Sequence, residues 1–260
     1  MATEYEIING VFSNYTGHET ETFTVPDGVT EIKGWAFHRN SMHCVVIPEG
    51  VKTIGRLAFM DCRNLCEIIF PETLTEIKNQ AIAFCNHLDE IVLPSSLISV
   101  GDRIFHDCCG IHEITIYGEH FDIDEELFDA YNWDEIAEDY GLCEENTTEV
   151  SLKIRRVAVD ELSRLLINGD YDDLYMAECC RCECIARVLK HQPENANLLN
   201  MAKAHLPAVF SYLVRDSETV QFLLKKDLIA DEHLDVCMEI AEKRNAADTE
   251  KLLTDYRTAL

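Results

Sequence analysis

The N-terminal half of the chain alternates short apolar runs with polar turns at a fixed interval. Pro26, Pro48, Pro71 and Pro94 recur every 22 or 23 residues, and Tyr117 occupies the same place one interval later. The run before each of these positions is rich in β-branched residues, which predicts a strand. Proline ends each strand at the same height because it lacks a backbone N–H and favours an extended preceding residue. The interval therefore predicts stacked units that share one apolar core.

Further positions recur after each proline. A second extended run follows the turn, and then a small residue precedes an aromatic one, as in Ala36-Phe37 and Ala58-Phe59. We expect these side chains to fill the layer between successive coils. The residue 14 positions beyond each proline position is expected to hydrogen-bond the buried backbone of a turn. These residues are Asn40, Cys62, Cys85 and Cys108.

The combined pattern I-P-x-x-V-x-x-I-x-x-x-A-F-x-x-C-x-x-L resembles the BspA-type leucine-rich repeat over about residues 5–118. Residues 6–11 together with residues 15–17 resemble the leader strand pair that precedes such repeats. The resemblance implies a right-handed solenoid with a parallel sheet and a role in protein recognition. Ile82 and Ile104 depart from the Ala-Phe step and Asn40 from the cysteine position, which affects local packing only.

The remainder of the chain changes to the apolar spacing of helices. Asp216 and Asp248 each predict a helix start, because a capping residue is followed by acidic residues in the first turn. Residues 233–260 resemble the helix pair of an ankyrin repeat, and residues 198–224 and 160–189 resemble it more distantly. The predicted fold class is α/β, a leucine-rich-repeat right-handed solenoid followed by an all-α ankyrin-like helical repeat domain.

We expect three segments along the chain: a solenoid with leader strands at 1–118, an acidic capping or linker segment at 119–149, and a helical, ankyrin-like domain at 150–260. The middle segment contains 13 Asp or Glu and no Lys or Arg. Its apolar spacing predicts a short amphipathic helix that covers the open end of the solenoid. Its acidic residues do not form a calcium loop, because Leu127 stands where glycine is required.

The formal net charge of −26 restricts the possible partners. Such a surface repels phosphate backbones and anionic lipid headgroups, so we expect a basic protein or peptide and neither nucleic acid nor membrane insertion. No export leader opens the sequence and no run of 18 apolar residues occurs, which predicts a cytoplasmic protein. The 12 cysteines then fit reduced thiols. A secreted or surface location follows if the natural chain carries a leader.

No sequence motif indicates catalysis or a cofactor. The chain lacks H-E-x-x-H, G-x-S-x-G and G-x-G-x-x-G, so we predict that it is not an enzyme and needs no cofactor. Cys179, Cys180, Cys182 and Cys184 could hold zinc, but four thiols within six helical residues point around much of the helix. We therefore expect no metal there, and we expect Cys180 and Cys184 to pack between helices.

The strands before the prolines offer the more concrete site. If Ile68 and Phe70 point inward, alternate residues point outward and form an acidic row beside an apolar row. Such rows fit a basic or amphipathic peptide, although they also fit simple β-propensity and solubility, and both interpretations stay open. The predicted partner-binding residues are Glu67, Ile69, Glu90, Val92, Glu113 and Thr115.

These observations favour a non-enzymatic protein-interaction scaffold that uses the strand face of the solenoid and the helical array. Two alternatives remain at this stage. One is a secreted or surface-displayed host-interaction protein, and the other is a metal-dependent regulator that uses the cysteine cluster.

Overall fold

A computed structural model describes residues 4–17, 21–123, 157–172 and 174–259. The chain divides into two compact units. The first comprises Met1–Asp170 with Leu174–Met176, and the second comprises Tyr171–Asp173 with Ala177–Leu260. The first unit contains a β-solenoid of about four turns, and the second unit is helical, as the sequence predicts.

Each coil of the solenoid contributes two short strands, one to each of two faces, separated by turns. Most strands have only two or three residues because the proline turns interrupt them. The strands are β1 (Glu6–Ile8), β2 (Val11–Ser13), β3 (Thr22–Thr24), β4 (Glu31–Ile32), β5 (Cys44–Val46), β6 (Thr53–Ile54), β7 (Glu67–Ile69), β8 (Glu76–Ile77), β9 (Glu90–Leu93), β10 (Ser99–Val100), β11 (Glu113–Ile116) and β12 (Glu119–Asp122).

Neighbouring coils pair in parallel, with partners one sequence period apart. Val45 pairs with Ile68 and Ile54 with Ile77, so each pairing step equals the 23-residue interval. The described strands form three sheets, in the orders β1-β2-β4-β6-β8-β10, β3-β5-β7 and β9-β11-β12. The predicted parallel sheet is thereby confirmed, and the right-handed sense of the coil stays a prediction.

The aromatic side chains stack from coil to coil inside the solenoid. The ring centroid of Phe37 lies 4.9 Å from that of Phe12 and 4.8 Å from that of Phe59. The rings of Phe37 and Phe59 are nearly parallel, with an angle of 5° between their planes. All three side chains are fully buried. Burial of one such side chain stabilises the fold by roughly 1.5–3 kcal/mol. The predicted role of the small-then-aromatic step, to fill the layer between coils, is confirmed.

Both ends of the solenoid carry a tight antiparallel hairpin. At the N-terminal end, Asn9 and Gly10 join β1 to β2 with φ angles of 52° and 81°; at the C-terminal end, Tyr117 and Gly118 join β11 to β12 with φ angles of 54° and 81°. Two consecutive positive φ angles are typical of the type I′ turn, whose twist matches that of the flanking strands. The outermost strands therefore turn back on themselves and do not continue the parallel stack.

A helix closes the last coil with side chains that replace a missing neighbour. This helix, α1, covers residues 157–163 and continues into a π-helical turn at Arg164–Asn168. The amide of Asn168 accepts a hydrogen bond from Val100 N at 2.9 Å and donates one to Val100 O at 2.8 Å. One side-chain amide thus satisfies both backbone groups at the exposed edge of β10.

Asp160 likewise satisfies a backbone group of the adjacent turn. In earlier coils Phe37 N donates to Ala58 O and Phe59 N to Ala81 O, always one coil ahead. Among the described residues no further coil follows Phe105, and its N–H donates to Asp160 Oδ1 at 3.0 Å. The carboxylate therefore substitutes for a backbone carbonyl.

These capping groups lie beyond the segment in which the sequence predicts a cap. β12 belongs to the predicted 119–149 segment, whereas the amphipathic helix expected in it, together with Leu127, lies outside the described residues. Asp160 and Asn168 fall in the region that the sequence assigns to the helical domain, yet they bond to Phe105 and Val100 of the solenoid. The boundaries at 118 and 149 stay a prediction.

The second unit is a set of helix pairs. Along the chain, α2 contacts α3 and α4, α4 contacts α5 and α6, and α6 contacts α7, while α5 also contacts α7. Successive pairs therefore stack on one another. The helices are α2 (Glu178–His191), α3 (Ala196–Ala204), α4 (Leu206–Leu213), α5 (Ser217–Lys225), α6 (Asp231–Lys243) and α7 (Ala247–Ala259).

Local capping explains where two of these helices begin. Asp216 Oδ1 accepts from Thr219 N at 3.2 Å and thereby caps α5, which confirms the predicted start. Asp248 lies inside the first turn of α7, one residue after the helix begins at Ala247. The helical character of this region is confirmed, and its ankyrin-like character stays a prediction. Within the described part of the chain, every helix is too short or too polar to cross a membrane.

Replacing Asn168 tests the capping role of its amide. Asn168→Ala should lower the free energy of unfolding by about 2 kcal/mol, because two hydrogen bonds disappear and Val100 keeps no substitute partner. Urea unfolding followed by tryptophan fluorescence measures this, since both tryptophans lie within the first 133 residues. Asn64→Ala, at an exposed turn position, is the control. Equal stability of the two variants would contradict the capping role.

Asp160 should make the stability of the solenoid depend on pH. Burial raises the pKa of this carboxyl to about 7, although the N–H of Phe105 and the charges of Arg103 and Arg164 oppose the rise. The folded state therefore holds a proton at pH values where the unfolded chain has lost it. The Asp160 contribution to stability is thus fully present below about pH 4 and decreases as the pH rises to about 7.

Asp160→Asn removes this titration and keeps an oxygen acceptor for Phe105 N. The stability of the variant relative to the parent should rise by roughly 2 kcal/mol between pH 5 and pH 8. Urea unfolding at both pH values measures the difference. Asp27→Asn, at an exposed turn, is the matched control. A constant difference between parent and Asp160→Asn would show that Asp160 does not titrate in this range.

Candidate functional site

The outward strand face of the solenoid combines exposed carboxylates with exposed apolar side chains. Glu67 and Ile69 lie on β7, and Glu90 and Val92 lie on β9. The apolar pair is unusually open, since 44% of Ile69 and 53% of Val92 remain accessible. Ile68, which lies between Glu67 and Ile69 on β7, is buried, as the predicted alternation requires.

The remaining predicted residues lie on β11 and are less open. Glu113 pairs with Glu90 and Thr115 with Val92 in the β9–β11 ladder, and both are half-buried. On the other side, Glu67 pairs with Cys44 and Ile69 with Val46 in the β5–β7 ladder. The structure therefore brings the six predicted residues onto one face, in two registered groups.

The two groups are separated by a break in the sheet. In the intact parts of the stack, His43 O accepts hydrogen bonds from Cys66 N and Glu67 N, and Asp89 O accepts them from His112 N and Glu113 N. The corresponding bonds to Cys66 O are absent among the described residues, and β7 and β9 belong to different sheets. The coils are stacked here without a ladder.

A depression of about 430 Å³ lies at this break. We call it the slot. Its walls carry four carboxylates together with apolar side chains from the two neighbouring coils. The slot is lined by Cys66, Glu67, Ile68, Ile69, Phe70, Glu72, Asp89, Glu90, Val92 and Pro94.

Phe70 offers a physical reason for the break. At this position in the other coils stand Val25, Ile47, Leu93 and Ile116, all of them buried, whereas the larger Phe70 is half-buried. An aromatic ring in a space sized for an aliphatic side chain separates the packed layers. The regular 23-residue interval hides this defect, and the single aromatic residue before Pro71 is the only sequence signal for it.

The carboxylates nearest the slot are poorly compensated. Among the described residues, no cationic side chain lies within 4.0 Å of Glu67 or Glu90, whereas Asp89 lies 3.8 Å from His112 and Glu113 lies 3.9 Å from His120. Burial raises the pKa of the Cys44 thiol, and its hydrogen bond with Glu67 raises it further. The centre of the face therefore carries unneutralised negative charge.

The ladder of cysteines inside the solenoid is structural. The Sγ atom of Cys62 donates to Phe37 O at 3.0 Å, that of Cys85 to Phe59 O at 3.2 Å and that of Cys108 to Ile82 O at 2.9 Å. In the first coil, Asn40 Nδ2 donates to Gly17 O at 3.0 Å. The predicted role of these positions in satisfying turn backbone is confirmed.

Burial and neighbouring thiols make Cys62 and Cys85 unreactive. The neighbouring Cys85 and burial raise the pKa of the Cys62 thiol, and Cys108 and burial do the same for the pKa of Cys85. A thiol with a raised pKa is a weak nucleophile and a weak metal ligand at neutral pH.

The cysteine cluster of α2 divides between surface and core. Cys179 is exposed and its Sγ lies 3.7 Å from that of Cys180, whereas Cys182 and Cys184 are buried. The prediction of a core position is confirmed for Cys184 and wrong for Cys180, which is half-buried because the helix turns Cys182 inward instead. Cys182 Sγ contacts Tyr171 Oη at 3.4 Å. No group of three or more His, Cys, Asp or Glu in the described ranges could hold a metal ion.

The solenoid geometry and the repeated positions agree with a sequence family. Residues 6–133 match the BspA type leucine-rich repeat region in six copies. The match covers just under half of the chain and is a similarity to that repeat family. It includes the strands that carry Glu67 and Val92, so the candidate face lies within the matched repeats.

Several solved leucine-rich repeat structures resemble the chain. A T. pallidum leucine-rich repeat protein is 25% identical with a TM-score of 0.36 over 42% of this chain and 66% of its own. A Bacteroides capillosus leucine-rich repeat protein is 21% identical, with a TM-score of 0.36, over 44% and 98%. A leucine-rich cell surface protein of Faecalibacterium prausnitzii is 29% identical, with a TM-score of 0.39, over 42% and 30%.

This chain thus spans 66% of the T. pallidum protein and 30% of the F. prausnitzii protein. No curated protein matches the sequence.

Truncation of a ladder thiol tests its structural role. Cys85→Ala should lower the free energy of unfolding by about 1–2 kcal/mol, because it leaves a small cavity and removes the thiol hydrogen bond to Phe59 O, which keeps only its bond from Cys62 N. Urea unfolding measures the loss. The matched control, Cys66→Ala, removes an exposed thiol from the same coil region and should change stability by less than about 0.5 kcal/mol. A loss as small as that of the control would rule out the hydrogen-bonding role of Cys85.

Proposed function

We propose that the protein is a non-enzymatic interaction scaffold that binds basic or amphipathic protein segments on the strand face of the solenoid. The observation that carries the proposal is the pair of exposed apolar residues, Ile69 and Val92, flanked by the uncompensated carboxylates Glu67 and Glu90. Leucine-rich repeat solenoids generally serve as protein-interaction scaffolds, which supports the same conclusion.

The energetics of such a face favour a partner that offers both cations and apolar groups. Burial of the exposed half of Ile69 or Val92 against a partner contributes roughly 0.7–1.5 kcal/mol each. Cationic side chains placed between them neutralise Glu67 and Glu90, and the net charge of −26 raises the rate at which such partners arrive. The same charge opposes the approach of nucleic acids.

The helical unit offers a second surface in this proposal. Its stacked helix pairs, which we interpret as ankyrin-like, leave a depression of about 340 Å³ along α5 and α7. Glu218, Asp248, Asp255 and Lys251 line it, so its charge is mixed and mainly acidic. Mixed-charge partner segments fit this surface better than strongly acidic ones.

A cytoplasmic location belongs to the same proposal. The thiols of Cys62, Cys85 and Cys108 act as hydrogen-bond donors to buried carbonyls, which requires them to stay reduced. Cell fractionation with an antibody to the protein tests this. Recovery from the culture medium or the cell envelope would favour the secreted or surface-displayed alternative.

Charge reversal on the face tests the proposed function. The triple variant Glu67→Lys, Glu90→Lys, Glu113→Lys should weaken binding of a fluorescent Gly-Val-Arg-Val-Arg-Val-Gly peptide at least tenfold, because attraction becomes repulsion. Fluorescence anisotropy measures the dissociation constant at two salt concentrations, and the difference should shrink at high salt.

The control variant places the same charge change elsewhere on the solenoid, at Asp27, Glu31 and Asp102. It should bind the peptide within about threefold of the parent, since only long-range charge differs. An unchanged dissociation constant in the face variant, or equal losses in both variants, would remove the strand face as the binding surface.

A further inference from the structure

We propose that the slot between β7 and β9 admits one arginine side chain of the bound partner and thereby sets the specificity of the face. This inference rests on the proposed function, because it describes how the same face distinguishes among basic segments. The slot is the only interruption among the described ladders that join β3 to β11, so it is the one place on this face where a partner side chain can pass between coils.

The slot is large enough to admit a long side chain. Its volume of about 430 Å³ lies within the range of about 300–1,000 Å³ that small-ligand sites occupy. Ile69 and Val92 stand on its two sides, and Pro94 borders it on the later coil. The aliphatic stem of an arginine can therefore lie against apolar groups while its head reaches the polar ones.

The polar groups of the slot are mostly acceptors. The carboxylates of Glu67 and Glu90 face it from the two coils, and neither has a cationic partner among the described residues. Cys66 O adds a backbone acceptor, since the N–H groups of Asp89 and Glu90 that would continue the ladder do not bond to it. A group that complements the slot must therefore carry several hydrogen-bond donors and a positive charge.

A guanidinium meets this demand better than an ammonium. It presents five N–H donors in one plane and can bond two carboxylates and a carbonyl together, whereas lysine concentrates three donors at one point. Guanidinium is also more weakly hydrated than ammonium, so the free-energy cost of desolvating it between apolar walls is smaller. The geometry therefore favours arginine over lysine at equal charge.

Three peptides of one length separate these possibilities. They are Gly-Val-Xaa-Val-Gly peptides in which Xaa is arginine, lysine or citrulline, each labelled at the N-terminus for fluorescence anisotropy against the full chain. The arginine peptide should bind at least tenfold more tightly than the lysine peptide. Citrulline keeps the shape of arginine without its charge and should bind more weakly than either.

Two isosteric variants locate the preference. Glu90→Gln removes one carboxylate from the slot and should reduce the ratio of lysine to arginine dissociation constants at least threefold. Glu113→Gln makes the same charge change on the same face but outside the slot. It should weaken both cationic peptides alike and leave the ratio unchanged. Urea unfolding confirms that both variants remain folded.

The outcomes separate the two proposals. Equal dissociation constants for the arginine and lysine peptides overturn the slot and leave the proposed function standing. A preference for arginine that survives Glu90→Gln but falls in Glu113→Gln also overturns it, since the guanidinium then lies elsewhere. Absence of measurable binding by all three peptides contradicts the slot and the strand-face function together.

Discussion

In a solenoid, the backbone of each coil depends on hydrogen bonds to the next one. Interior coils satisfy this demand by repetition, as when Phe37 N donates to Ala58 O and Phe59 N donates to Ala81 O. The terminal coils lack a neighbour on one side and cannot form these bonds. An edge of unpaired backbone groups costs stability and invites aggregation. The type I′ hairpins and the side chains of α1 are both consequences of this constraint. They convert an open-ended repeat into a unit with defined ends.

The slot is a failure of the same ladder in the middle of the stack. There the coils remain packed through Ile68 and Ile91, both buried, while the hydrogen bonds between β7 and β9 are absent. The slot is open to solvent, so water can hydrogen-bond backbone groups at the break, which makes the defect tolerable for stability. Places where a local structural rule fails without an evident gain in stability are often functional sites. Here the failure coincides with the most exposed apolar residues of the strand face.

The sequence predicts what is repeated and misses what occurs once. The parallel strands, the aromatic stack and the hydrogen-bonding ladder at Asn40 and Cys85 follow from recurring positions, because one physical environment selects one residue type in every coil. The caps at Asp160 and Asn168 do not recur, and they meet Phe105 and Val100 across 55 and 68 residues. Periodicity contains no information about such contacts. The slot is only partly predictable from the sequence, because its one signal is the aromatic Phe70 at a position where the other coils have aliphatic residues.

Net charge and local geometry contribute differently to recognition on this face. The charge of −26 acts over about a Debye length of 8–10 Å, attracts any basic partner and is screened by salt. It therefore accelerates association without selecting a sequence. Selection requires groups that a partner must match at fixed positions, which Ile69 and Val92 provide through apolar contact and the slot through oriented acceptors. Because such contacts must break before release, they act mainly on the dissociation rate. A solenoid can thus attract many basic segments and retain few.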